Sequence, residues 1–334
     1  MSGSTFTIPR AFIFRRLHSL LGLWLVLFLI EHLLTNSQAA LLLGENGKGF
    51  IHAVNFLKNL PYLPVVEIVL LGVPILFHGV WGIKYLMSGK MNSFGKDGKN
   101  PSLPEYKRNQ AYSLQRITSW VLLVGLIGHI GYMRFYKYPA EVNTGEHSYY
   151  FVRLRVDPGL YTVADRLGVK IYDQREIRNE RIKIENQDSI YKEFKREVEI
   201  LKKRDSTQYK YSTDEIMRRY QHLKNEKAWL KGLETKPLGV GQVIAESSNF
   251  GTATLFIVRD SFKNIFIAIL YTLFVLSAVF HAFNGLWTFI ITWGIVLKMR
   301  SQLKAVSMCT GIMLIIGILG LASIWGTYWI NLRY

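Results

Sequence analysis

The sequence predicts an all-α integral membrane protein with five transmembrane helices, because long apolar runs alternate with basic turns and one polar insert. A bilayer-spanning helix needs about 20 mostly apolar residues. Five segments of the 334-residue chain have that length: 14–34, 63–87, 112–133, 262–297 and 305–330. The fourth is longer than one span, so we expect its helix to begin late or to tilt.

The charges are distributed as a membrane protein requires. The chain has 41 Lys and Arg against 24 Asp and Glu, and only five of these acids lie outside residues 141–260. Basic residues outside that segment flank apolar runs and form no solvated face, which favours membrane loops over nucleic-acid binding. A lone cysteine, Cys309, excludes intrachain disulfides, a CxxC zinc site and an iron–sulfur cluster held by this chain alone.

The spans define three regions. Helices I–III occupy residues 1–137, an extramembrane insert occupies 138–260, and helices IV–V occupy 261–334. The insert is rich in charged residues with Ile and Leu at helical spacing, which predicts a two-helix hairpin over about 174–203 and 214–233. The candidate inward positions of its first helix are Ile177, Ile182, Ile184, Ile190 and Phe194.

The short loops predict a cytoplasmic N-terminus, because basic residues concentrate on the inner side. With that orientation, eleven basic residues flank the inner ends of the spans: Arg10, Arg15, Arg16, Lys90, Lys96, Lys99, Lys107, Arg108, Lys298, Arg300 and Lys304. Six flank the outer ends: Lys48, Lys58, Arg134, Lys137, Lys263 and Arg333.

Four of the eight histidines fall inside apolar spans, one in each of the first four helices: His32, His78, His129 and His281. A histidine in hydrocarbon is costly unless it is paired or coordinated, so it marks a functional site by default. A single intramembrane histidine usually forms an interhelical hydrogen bond, but four histidines on four separate helices favour haem ligation. His52, His147 and His222 lie in aqueous segments, where we expect them to be solvated.

The predicted depths of these histidines in the membrane assign them to two pairs. At a rise of 1.5 Å per residue, His32 and His129 lie roughly 6–8 Å below the outer boundary, and His78 and His281 roughly 21–27 Å below it. Two axial ligands of one haem must share a level, so the spacing predicts two haems about 15–20 Å apart across the membrane.

Other residues suggest how such groups would be held. Gly82 and Gly285 each follow a histidine by four residues on the same helix face, which leaves room for a flat porphyrin or for close helix packing. Arg15, Arg16 and Arg116 would lie at the inner face as propionate partners or as ordinary membrane anchors. His18 and Ser19 share that level, where they could join the polar network or line a quinone pocket.

These motifs together resemble a known family. The segments FRRLHSLLG (14–22), EHLLTN (31–36), FHGVWG (77–82), LQRIT (114–118), and FHAFNGLWTF with TWGI (280–295) are similar to the cytochrome b membrane-anchor subunit of succinate dehydrogenase and fumarate reductase, of the five-helix, two-haem type. The resemblance covers about residues 5–137 and 262–334, and the insert lies outside it.

The resemblance implies that His32 with His129 binds the outer haem and that His78 with His281 binds the inner one. It implies two partners, a flavoprotein with covalent FAD and an iron–sulfur subunit on the cytoplasmic face, which would deliver electrons from succinate. The electrons would pass through the two b haems to a quinone, typically menaquinone, so this chain would carry no catalytic residue for succinate itself.

Three questions stay open from the sequence. Polar candidates for the quinone site are Glu31, Asn36, Gln38, His52 and Glu67. One alternative function is a cytochrome b anchor of a hydrogenase or formate dehydrogenase, and the other is a non-redox scaffold or transporter subunit. The physiological direction, succinate oxidation or fumarate reduction, is equally open.

Overall fold

The structure is a computed structural model that describes residues 8–40, 47–89, 105–145, 147–203 and 206–333. Its chain divides into two units. The helical unit contains the described residues of 1–135 and 261–332, and the inserted unit contains those of 136–260 together with Arg333. Lys90, Lys96 and Lys99, which entered the orientation argument, lie outside the described residues.

The elements follow one another in this order. The first half contains α1 (Arg10–Ser37), α2 (Lys48–Lys58), α3 (Leu63–Glu67), α4 (Val73–Ser88), α5 (Lys107–Ile130), β1 (Ala140–Asn143), β2 (Ser148–Arg155), α6 (Leu160–Arg166) and β3 (Lys170–Tyr172). The second half contains α7 (Gln174–Lys202), α8 (Ser206–Leu233), β4 (Gln242–Ser247), α9 (Phe250–Ser261), α10 (Ile265–Thr292), α11 (Met299–Leu321) and α12 (Thr327–Arg333). A π-helical turn joins α3 to α4, and others follow α5 and α11.

The five predicted spans are confirmed. In the described part of the chain, five helical stretches are long and apolar enough to cross a membrane: Arg10–Ala40, Leu63–Ser88, Lys107–Tyr136, Ile265–Thr292 and Met299–Ile330. Helix α1 packs against α4, α10 and α11, and α10 also packs against α5 and α11. These two helices therefore link the other spans into one bundle.

The fourth span is shorter than the apolar run that predicted it. Asn264 begins α10, since its side chain accepts a hydrogen bond from the backbone N–H of Phe266. Gly294, at a φ of 70°, follows the helix end at Thr292 and adopts the left-handed conformation typical of helix termination. Local capping, which hydropathy does not detect, thus limits the helix to 28 residues.

The inserted unit contains more than the predicted pair of helices. Helices α7 and α8 are present and pack against each other. Beside them lies an antiparallel four-stranded sheet in the order β1-β2-β4-β3, which the sequence reasoning missed. The sheet and helices share a core of Phe151, Ile177, Leu233 and Ile244. The two short outer strands, β1 and β3, lack a long apolar alternation, so only their pairing with β2 and β4 identifies them.

The prediction of which α7 residues face inward is confirmed in part. Ile177 and Ile184 are buried, but Ile182 and Ile190 are exposed, at 50% and 59%. Val198 is buried too. Ile184 follows Ile177 by seven residues and Val198 follows Ile184 by fourteen, so the three lie on one face of the helix. At 100° per residue, Ile182 points about 140° away from Ile177, which explains its exposure. Phe194 is half-buried beneath the guanidinium of Arg219.

Candidate cofactor site

The pair of histidines that the sequence predicts to be the outer one joins α1 to α5. The ring centroids of His32 and His129 lie 5.9 Å apart, with their planes at 85°. The Nδ1 atom of His129 lies 3.1 Å from the hydroxyl of Tyr271, and the ring of Phe274 packs beside it. Helices α1, α5 and α10 therefore meet at this level.

The pair that the sequence predicts to be the inner one joins α4 to α10. The ring centroids of His78 and His281 lie 6.3 Å apart, with their planes at 81°. Nδ1 of His78 lies 3.0 Å from the backbone carbonyl of His18, and Nδ1 of His281 lies 3.3 Å from the hydroxyl of Ser119. Gln115 donates to the carbonyl of His281, which ties α5 to α10 at the same point.

Both pairs have the separation that a shared iron requires. A metal–imidazole bond is about 2 Å long and the ring centroid lies roughly 1 Å beyond the nitrogen, so two axial imidazoles place their centroids about 6 Å apart. In three of the four rings Nδ1 faces an oxygen atom, which leaves Nε2 available as the ligand. The residues present therefore fit bis-histidine haem.

The histidine pairs differ from a metal centre whose ligands all come from protein side chains. Among the described residues, no group of three or more His, Cys, Asp or Glu side chains is placed to hold a metal ion. A porphyrin supplies four nitrogen ligands, so a haem iron needs only two from the protein. Two neighbouring imidazoles supply that number of ligands.

The two pairs lie at different levels along the helices. The ring of His18 stacks on that of His78 with centroids 4.0 Å apart, so the inner pair lies beside this part of α1. His32 of the outer pair follows His18 by 14 residues, or about 21 Å of helix. On α5, His129 follows Ser119 by ten residues, or about 15 Å. These separations agree with the spacing expected from the sequence.

His18 and Ser19 lie at the level of the His78 and His281 pair. Besides its stacking on His78, the His18 ring has its edge against Tyr85 at 5.3 Å. Its Nδ1 is buried and makes no hydrogen bond with the residues that the structure describes. Ser19 accepts a hydrogen bond of 3.2 Å from the indole of Trp293. Both residues thus line the inner site, while their contacts with any cofactor stay a prediction.

Arg116 and Arg16 cap the ends of neighbouring helices. The buried guanidinium of Arg116 donates to the carbonyls of Tyr85 and Leu86 in the last turn of α4, and to the hydroxyl of Tyr112. Arg16 donates to the carbonyl of Thr292 at the end of α10. Cations are favourable at helix C-termini, where carbonyls lack intrahelical partners. Arg15 is exposed, and propionate pairing by all three stays a prediction.

Two other glycines are packed more tightly around the histidine pairs than the two predicted. A Cβ at Gly82 would meet His18 at 3.6 Å, and one at Gly285 would meet Gln115 at 3.9 Å, both ordinary contacts. A Cβ at Gly22 would instead come within 2.9 Å of the His78 ring, and one at Gly125 would overlap Phe274 beside His129. The detectable signal was the spacing of four residues that separates Gly22 from His18 and Gly125 from His129.

The polar candidates for a quinone site have local partners. Glu31 accepts a hydrogen bond from Thr35 one turn away, and Glu67 forms a 2.7 Å ion pair with Arg134. Asn36 and Gln38 donate to carbonyls of their own helix. His52 is exposed on α2. This geometry singles out none of them as a quinone ligand.

Comparison with known proteins finds one significant curated relative among those compared. The chain is 35% identical over 136 residues to the succinate dehydrogenase cytochrome b558 subunit of Bacillus subtilis (strain 168). That match covers 40% of this chain and 61% of the relative's length. No protein-family model matches the chain, and no solved structure matches it significantly. The resemblance inferred from the helical motifs is thereby confirmed: the chain is similar to a succinate dehydrogenase cytochrome b subunit.

Proposed function

We propose that this protein is the dihaem cytochrome b anchor of a succinate:quinone oxidoreductase. The observation that carries the proposal is the arrangement of four intramembrane histidines as two facing pairs, 5.9 and 6.3 Å apart, on helices α1, α4, α5 and α10. Similarity to a curated cytochrome b subunit of succinate dehydrogenase supports the same conclusion.

In this proposal, His32 and His129 bind the outer haem and His78 and His281 bind the inner one. The haems supply a one-electron carrier at each level. The protein fixes the ligand rings, because an oxygen atom facing Nδ1 sets the tautomer and the orientation of an imidazole.

The proposed partners are a flavoprotein and an iron–sulfur subunit on the cytoplasmic side, with a quinone, in this type menaquinone, as the electron acceptor. The basic inner flanks of the spans support a cytoplasmic N-terminus. The order of the pairs then supports electron flow from the inner level to the outer level, over about 15–21 Å.

The test is the substitution His129→Leu, studied by reduced-minus-oxidised absorption spectra and redox titration of membranes that contain the assembled complex. We expect one of the two b-type components to disappear while the other keeps its potential, because His78 and His281 lie at a separate level. Quinone reduction by succinate should stop, since the outer site is lost.

His147→Leu is the matched control, since His147 lies in the inserted unit with its ring beside Tyr149. It should leave both components intact. Retention of two components in His129→Leu would refute the assigned ligand pairs. Absence of b-type bands from the unsubstituted protein would refute the haem function as a whole.

A further inference from the structure

The two ends of the inserted unit meet at one edge. Lys137 Nζ and Asp260 Oδ2 form an ion pair of 2.6 Å, and the Asp260 side chain is 1% exposed. Lys137 directly follows the third span, which ends at Tyr136, and the fourth span begins at Ile265. Five residues extend at most about 18 Å. Chain connectivity therefore tethers this edge close to the bilayer boundary.

Two further cations surround Tyr136 at the same edge. Lys236 donates to the carbonyls of Tyr136 and Tyr138, at 3.0 Å each. Arg153 stacks over the Tyr136 ring and donates to its hydroxyl and to the carbonyl of Pro237. These acceptors are uncharged, so they orient the two cations without cancelling their charge.

The crowding of positive charge is visible in Lys236 itself. Burial, and then the neighbouring charges of Arg153 and Lys137, lower the pKa of Lys236 below its ordinary value. Like charges held together in this way attract an anion, because a negative group nearby would relieve their mutual repulsion.

An exposed apolar tip adjoins these cations. Val240 is fully exposed between Gly239 and Gly241, and Val156 is 45% exposed. The N–H of Val156 donates to the carbonyl of Gly241, which joins the two valines. The preceding residue, Arg155, donates its backbone N–H to Asp260, so the tip lies at the edge where the chain enters and leaves the unit.

We propose that this edge of the inserted unit, comprising Arg153, Val156, Lys236 and Val240, binds the surface of a bilayer that contains acidic phospholipids. Basic side chains near an apolar tip are typical of interfacial membrane binding. The basic groups contact the lipid phosphates, and the aliphatic groups lie at the boundary between headgroups and acyl chains. Tyr136 and Tyr138 suit the same zone, where aromatic rings with a polar end concentrate. The proposal is independent of haem binding.

The test places a fluorophore on the exposed tip. Val240→Cys in the full chain is labelled with a polarity-sensitive dye and reconstituted into nanodiscs, where both faces are accessible. The native Cys309 is 3% exposed, and the unsubstituted chain measures any labelling at that site. The discs contain phosphatidylcholine alone, phosphatidylcholine with phosphatidylglycerol, or phosphatidylcholine with inorganic phosphate in the buffer, each with a nitroxide-labelled lipid as quencher.

We expect a blue-shifted emission from position 240 and quenching about twofold stronger with phosphatidylglycerol than in either other arm. Ile190→Cys, on the exposed face of α7, is the control and should remain unquenched. Arg153→Gln with Lys236→Gln should remove the phosphatidylglycerol effect, whereas Arg153→Lys with Lys236→Arg should retain it, which separates lost charge from misfolding.

Quenching at position 240 no stronger than at position 190 would overturn the proposal. So would an equal response in all three arms, because the charge argument would then have failed. Loss of the effect in the charge-conserving pair would also overturn it, since the cations would then act through local packing.

Discussion

At the scale of single residues, the histidines differ in what faces Nδ1. His78 meets a backbone carbonyl, His281 a serine hydroxyl, and His129 a tyrosine hydroxyl. A carbonyl can only accept a hydrogen bond, so it fixes the proton on Nδ1 of His78 and leaves Nε2 as a lone-pair ligand. The hydroxyl of Ser119 donates its proton to the carbonyl of Gln115, so it too acts as an acceptor toward Nδ1 of His281, whereas the hydroxyl of Tyr271 can either donate or accept. The two inner ligands are consequently the ones whose tautomers are most strictly determined.

Gly22→Ala tests whether close packing against His78 positions that ring. A Cβ at Gly22 would come within 2.9 Å of the ring, so His78 must shift, and we expect the inner b-type component to weaken or change its potential. The outer component should be unchanged, because it lies about 15–21 Å away. Redox titration followed by absorption resolves the two components.

Gly79→Ala is the matched control, because a Cβ there meets nothing within 4 Å although it adjoins His78 in sequence. It should leave both components unaltered and add slightly to helix stability, since alanine is the better helix former. The packing argument is wrong if the two substitutions change the inner component equally.

At the scale of elements, buried charge pairs fix the termini of the inserted unit. Arg259 of α9 donates to both carboxylate oxygens of Asp157, at 2.7 and 2.5 Å, and the two side chains are 5% and 11% exposed. Such bidentate pairs are specific in geometry, and a buried charge left without its partner is costly. This pair therefore couples α9 to the loop that follows β2.

Asp157→Asn should destabilise the inserted unit by about 3 kcal/mol, because it removes the charge that balances buried Arg259. Amide hydrogen exchange of β2 in the full chain measures the change, since its core amides open only when the unit unfolds. Asp165→Asn, at an exposed position of α6, is the control and should change exchange little. Equal protection of β2 in the two variants would contradict the role of the pair.

At the scale of the whole molecule, the inserted unit has its own core. A sheet and two long helices bury Phe151, Ile177, Leu233 and Ile244 against one another. None of the four intramembrane histidines contributes to it. The unit thus has the internal contacts of an independent domain placed between the third and fourth spans.

Excision of residues 138–260, with a linker of four Gly and Ser residues between Lys137 and Ser261, should leave both b-type components in place. The reason is that every contact to the histidine rings described above comes from α1, α4, α5 or α10. Absorption spectra of the membranes test this, and His129→Leu in the shortened chain should still remove one component. Loss of both components on excision would show that the inserted unit supports the helical bundle.

The sequence alone determined the number of spans, the polar insert and the levels of the four histidines, because hydropathy and the 1.5 Å rise per residue are local properties of each helix. Only the tertiary structure decided which oxygen faces Nδ1 of His78, His129 and His281, and that Arg16 and Arg116 cap neighbouring helices. It also decided the sheet of the inserted unit. These features depend on contacts between residues far apart in the chain, and no local pattern encodes such contacts.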